Sequence, residues 1–148
     1  MIQRIMNLQR IAILAVQKSR TTNKDIKNLE NEHPGLKFLN NRNHANKQGV
    51  LFAINKRMIE IKEEELEKNH KVLIPNWASQ LKLKWGEGQG LNLVNIYAPN
   101  NAKEKEEFYQ KISRELGKEP QESLCILGDT NCILDDIDKS PAHADDKR

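Results

Sequence analysis

Short apolar runs that stop at polar turns govern what this chain can become. Ile11 to Gln17, Gly49 to Asn55, Leu91 to Tyr97 and residues 122–127 each have strand length. Between the last two lies a segment with helical period. Asn101 stands at its N-cap position and Glu104 three residues on. Phe108, Ile112 and Leu116 form one apolar stripe, and Gly117 and Pro120 close it. Residues 78–85 set Leu81, Leu83 and Trp85 against Gln80, Lys82 and Lys84, the alternation of a half-buried strand. Gly86-Glu87-Gly88-Gln89-Gly90 then predicts a hairpin loop that pairs this strand with residues 91–97. The expected class is α/β: a mixed, largely antiparallel sheet with flanking helices.

The remaining segments are less patterned. Ile2, Ile5 and Met6 predict a short helix within residues 1–10. Thr21-Thr22-Asn23 offers caps for a helix over residues 24–32, with Ile26 and Leu29 inward and His33-Pro34-Gly35 as its stop. Residues 36–40 and 72–74 read as strands, and residues 40–47 as a polar loop. Met58 to Lys68 is ambiguous: Glu60, Glu63, Glu64, Glu65 and Glu67 with Lys62 and Lys68 favour a helix by propensity, and a solvated charge run is the safest description. The chain from Pro141 reads as a poorly ordered tail, which places the domain at residues 1–140 and the tail at 141–148.

Composition excludes more than it selects. The length of 148 residues suits one domain, and 30% charged residues with recurrent apolar runs is neither a membrane protein nor a disordered one. The net charge of +3 is local: residues 1–24 hold Arg4, Arg10, Lys18, Arg20 and Lys24 and no acid. A strongly basic nucleic-acid binder is thus excluded, and any basic patch is confined. An acid-free amphipathic start also resembles a mitochondrial presequence, a weaker reading than folded domain. Cys125 and Cys132 form no CxxC pair. Cys125 is expected as a small buried hydrophobe, and the cysteines suggest a reducing compartment, nucleus or cytoplasm. His33, His44, His70 and His143 do not cluster and are expected at the surface or in loops rather than as ligands.

Chemistry concentrates where strands end. Residues 125–132 run Cys-Ile-Leu-Gly-Asp-Thr-Asn-Cys. Glycine lets the backbone come close to a ligand, and Asp129 and Asn131 at strand spacing would share a side. A carboxylate and a carboxamide there suit phosphate chemistry, one taking a proton and the other holding an oxygen. Gln17 with Lys18, and Tyr97, also stand at carboxyl ends of expected strands, where open α/β sheets bind ligands. A polar turn after a buried strand is the plain alternative for the Gly-Asp-x-Asn segment.

Gln17-Lys18, Asn95-Ile96-Tyr97-Ala98-Pro99, Gly128-Asp129-Thr130-Asn131 and Asp138-Lys139-Ser140, in that order, resemble the endonuclease/exonuclease/phosphatase superfamily. The endonuclease domains of LINE-type retrotransposons are the most similar branch. The resemblance implies a fragment of a four-layer α/β/β/α sandwich. It implies magnesium-dependent phosphodiester hydrolysis by in-line attack of water on DNA. Asp129 would orient or deprotonate the water, Asn131 would hold the phosphate and Tyr97 would donate a hydrogen bond to it. Gln17, Arg20, Asn95 and Asn100 would be substrate contacts.

The departures carry equal weight. The Glu that follows Gln in the family, its main metal ligand, is replaced by Lys18, and an ammonium repels a cation. Neither the family's first strand nor its terminal Asp-His pair has a counterpart, so the chain reads as the middle of a domain. The expected function is therefore a degenerate or truncated endonuclease-like domain, weakly active or inactive. The alternatives are a nucleic-acid-binding module using Lys18, Arg20, Arg42 and Lys47, and a relic reading frame without selected function.

Overall fold

The structure is a computed structural model; it describes residues 1–43, 47–85, 87–118 and 123–132. Seven strands and four helices alternate among these residues: α1 (Ile2–Leu8), β1 (Ile13–Ser19), α2 (Asn23–Glu32), β2 (Leu36–Asn41), β3 (Gly49–Asn55), α3 (Glu63–Asn69), β4 (His70–Ile74), β5 (Ala78–Trp85), β6 (Gln89–Tyr97), α4 (Ala102–Leu116) and β7 (Ser123–Asp129). The strands form two sheets, ordered β1-β3-β2 and β4-β5-β6-β7. All pairs are antiparallel except β6 with β7, which is parallel. That one parallel pair follows from α4, whose 15 residues cross back over the sheet. The class is α/β, mixed and largely antiparallel, as the sequence predicts.

Alternation along the strands builds four layers. Leu39, Phe52 and Ile54 of the first sheet meet Leu81, Leu83 and Leu93 of the second in one buried cluster, with Leu66 of α3 added. Burying a side chain of this size contributes about 1.5–3 kcal/mol. The opposite face of the first sheet, with Leu36, Phe38, Leu51 and Ala53, packs on Met6 of α1 and on Ile26 and Leu29 of α2. The outer face of the second sheet, with Val94 and Ile96, packs on Phe108 and Ile112 of α4. The result is an α/β/β/α sandwich. The helix ends follow local chemistry: Thr22 and Asp25 form a reciprocal capping box for α2, and the Asn101 side chain accepts from the N–H groups of Lys103 and Glu104 at α4.

Several expectations are corrected. Residues 63–69 are a helix rather than a bare charge run, because Leu66, 1% exposed, gives it one anchor into the core between the sheets. Glu63 and Glu67 of that helix, with Glu30 of α2, surround the Lys37 ammonium at 3.8, 2.8 and 3.4 Å. Burial opposes the charge on Lys37, yet these carboxylates outweigh it and hold its pKa above the ordinary lysine value. Cys125 is exposed, not buried, because β7 pairs only with β6 among the described strands. Leu124 and Ile126 beside it are each 49% exposed. His70 is not in a surface loop. It opens β4 and sets its ring edge-on against Phe52 at 6.2 Å. His44, His143, the Asp138-Lys139-Ser140 motif, the end of the domain at residue 140 and the expected tail lie outside the described residues. No helix among the described residues is long and apolar enough to cross a membrane.

Candidate functional site

The carboxyl ends of β1, β6 and β7 meet at one rim of the sandwich. Parallel pairing sets Tyr97 of β6 level with Asp129 of β7, and the Ala98 N–H donates to the Asp129 carbonyl at 2.8 Å. From β1, the Lys18 ammonium lies 3.7 Å from Asp129 Oδ2 and 5.1 Å from the centre of the Tyr97 ring. Lys18 reaches this point through a break in strand register between Val16 and Ser19, where its own φ is +56°. Carboxylate, phenol and ammonium thus share one cluster, as the strand ends predict.

The Gly-Asp-x-Asn segment works differently from its spacing. β7 ends at Asp129, and Asn131 sits beyond it at φ +48°, so strand alternation does not orient the pair. Instead Asp129 Oδ1 accepts from the Asn131 N–H at 3.1 Å, and Asn131 Nδ2 donates to the Ala98 carbonyl. The amide NH2 expected to hold a phosphate is thereby engaged with the end of β6. Gly128 is required by its neighbour strand rather than by a ligand. Its φ is +130°, and a Cβ there would stand 2.0 Å from the Ile96 carbonyl oxygen.

The other expected contacts divide. Asn100 lines an open recess with Asp129, Asn131 and Lys105. Asn95 is fully buried, so it meets no ligand; the correction is that it braces the rim. It donates to the Val16 and Leu51 carbonyls at 3.2 and 2.9 Å and accepts from Gln17 Nε2 at 2.7 Å. Gln17 is held by that bond beside Lys18. Arg20 is exposed and lines a recess with Thr21, Asp25 and Glu32, on the α2 side.

Two residues escaped the sequence reading. Lys105, in the first turns of α4, donates its ammonium to the Asn131 carbonyl and adds a second cation to the recess. Its signal was its place just after the polar turn that ends β6. Trp77, in the turn before β5, stacks on Tyr97 with ring centres 5.4 Å apart and planes 14° from parallel. Nearby, Tyr109 of α4 donates its hydroxyl to the Thr130 carbonyl at 2.9 Å, and burial pushes its pKa up to about 12.

The site offers cations and a phenol to an anion with oxygen atoms. It does not fit magnesium, which takes oxygen ligands. The position beside Asp129 is filled by an ammonium, and among the described residues no three His, Cys, Asp or Glu side chains converge.

No protein-family model matches the chain, and no curated protein sequence matches it. Solved structures do. A humanized D. rerio TDP2 carrying 14 mutations superposes with a TM-score of 0.61 at 13% identity, over 89% of this chain and 54% of its own. Truncated Caenorhabditis elegans TDP2 gives 0.54 at 14%, over 95% of this chain and 57% of its own. D. rerio TDP2 complexed with a single-strand DNA product gives 0.54 at 12%, over 89% and 52%. The chain therefore spans about half the length of the structures it resembles. At such identities the likeness shows the fold alone: the mixed α/β/β/α sandwich of these TDP2 structures, over about half of their length.

Proposed function

We propose that the chain is a nuclease-like domain of retrotransposon ancestry that keeps phosphodiester recognition and hydrolyses weakly or not at all. The observation that carries this reading is the Lys18 ammonium 3.7 Å from Asp129 Oδ2. A general base must present a free carboxylate to water. Here one Asp129 oxygen faces an ammonium and the other accepts the Asn131 N–H. The same ammonium is well placed to hold a phosphate oxygen, with Lys105 and the Tyr97 hydroxyl as further donors. The fold's magnesium would supply charge neutralisation at the phosphate, but Lys18 disfavours its binding. The single-strand DNA held by one D. rerio TDP2 supports DNA as the ligand class. A nuclear or cytoplasmic setting suits the free cysteines.

A binding module without any chemistry is the second reading. It is favoured by the same pairing, which engages both Asp129 oxygens while the Lys18 and Lys105 ammonium groups stand beside them. One assay separates the two. Purified protein is incubated with supercoiled plasmid and millimolar magnesium, and binding to an oligonucleotide is followed as salt rises. The proposal expects tight binding that weakens steeply with salt and nicking near the buffer background. Slow nicking lost in Asp129→Ala identifies a residual enzyme, and none identifies the module. Robust nicking lost in Asp129→Ala overturns the degenerate reading, and no binding at low salt overturns recognition itself.

A further inference from the structure

The phosphate-binding reading above, on which this inference rests, leaves the aromatic pair at the rim without a task. Trp77 occupies the turn between β4 and β5 and is half-buried, its inner side against the cluster that α4 covers. It stacks on Tyr97, which in turn carries the Lys18 ammonium 5.1 Å from its ring centre. Contacts therefore run without a gap from the indole through the phenol and the ammonium to Asp129.

The turn that holds Trp77 is fixed with unusual polar investment. The Trp77 N–H donates to the Ile74 carbonyl at 3.0 Å, and its own carbonyl accepts from the Tyr97 N–H at 2.8 Å. Asn76 before it stands at φ +68°, only 2% exposed. Its N–H donates to Asn41 Oδ1 at 2.9 Å. Asn41, 1% exposed, donates from Nδ2 to the Ile74 and Ala78 carbonyls at 3.0 and 2.8 Å. Asn76 Oδ1 accepts from the Asn43 N–H at 2.8 Å, which draws the segment carrying Arg42 alongside. Two buried carboxamides thus immobilise a turn whose one large side chain stays part-exposed, one ring removed from the Lys18 ammonium. A ring held this way loses little freedom when another ring stacks on it.

We propose that Trp77, backed by Tyr97, is a stacking platform for an unpaired nucleobase, and that the site takes single-stranded nucleic acid. A nucleotide carries both groups that the rim can receive: a phosphate for Lys18 and a flat π-face for the indole. In a duplex the base faces are already stacked, so the platform selects unpaired ends or single strands. Such stacking reads no sequence.

The test compares two ligands with the same phosphates. One is an oligothymidylate of about 12 nucleotides, the other an abasic oligomer of equal length, which lacks only the bases. The protein has two tryptophans, so Trp85→Phe leaves Trp77 as the reporter. The platform predicts that thymidylate quenches Trp77 fluorescence and binds roughly ten- to a hundred-fold tighter than the abasic oligomer. Trp77→Leu, which keeps apolar bulk, should erase that difference. The wild-type comparison decides the matter even where that variant folds poorly. Equal affinity for both oligomers would overturn the platform and leave phosphate recognition standing. Failure of both to bind at low salt would overturn the phosphate reading and the platform together.

Discussion

Lys18 stands at the site on an uncomfortable backbone. A φ of +56° costs a residue with a Cβ about 1 kcal/mol, and the side chain that it aims is 55% exposed. An exposed pair with Asp129 contributes at most about 1 kcal/mol, so its meaning lies in sign rather than strength. Lys18→Glu inverts that sign and sets two carboxylates against each other. We expect its thermal midpoint to fall by roughly 2–5 °C without metal and to recover part of that in millimolar magnesium, while the parent does not respond. Superimposable melting curves for both proteins in both conditions would reduce Lys18 to an ordinary surface lysine. At this scale the sequence displayed Asp129 and Tyr97, because each ends a strand with a visible apolar run. Asn95 entered as a contact through the resemblance alone, and a motif match does not report burial. Trp77 stayed hidden, because a single aromatic in a turn breaks no pattern and its partner lies twenty residues away.

The pair β6–β7 is the element that makes the rim, and its closeness depends on one glycine. An alanine at 128 would bring its Cβ onto the Ile96 carbonyl at a φ that side chains rarely adopt. The lost parallel register would carry Asp129 away from Tyr97 and Lys18. Gly128→Ala should therefore cost about 3 kcal/mol or more, and it should weaken oligonucleotide binding as well. A denaturant midpoint within error of the parent would show that β7 yields without consequence. Elements with a clear period were legible: β3, β5, β6 and α4 fall where the apolar spacing put them, with ends shifted by a residue or two. α3 was legible only in its propensity, because Leu66 alone among its residues is buried, and one apolar position makes no period. The exposure of Cys125 was not legible either, since an apolar run does not say whether its strand lies at the edge of a sheet.

Across the whole molecule, two sheets face each other and helices cover their backs, so the strand ends collect at a rim while the inner faces seal a core. Sequence alternation foretold the class but not which face of which sheet meets which, because that depends on pairing between distant strands. His70 illustrates the consequence. It sits at the start of β4 beside Phe52, a core residue of the other sheet, and its Nε2 is buried without a hydrogen-bond partner among the described residues. Burial disfavours the imidazolium and lowers the pKa from 6.5 to about 4. The unfolded chain then takes up the proton first as pH falls. This group's contribution to stability is complete above about pH 6.5 and is lost progressively down to about pH 4. Between pH 7 and 4.5 the loss from this one residue should be about 2–3 kcal/mol. Acidic groups held by partners, among them Asp25 with Thr22 and Glu63 with Lys56, have lowered pKa values and add their own loss toward acid. The clean measurement is therefore a difference: urea unfolding of the parent and of His70→Leu at both pH values. The variant should keep the carboxylate part of the decline and shed the histidine part. Equal declines in the two proteins would mean that His70 meets water in the folded state and that the sheets do not close over it.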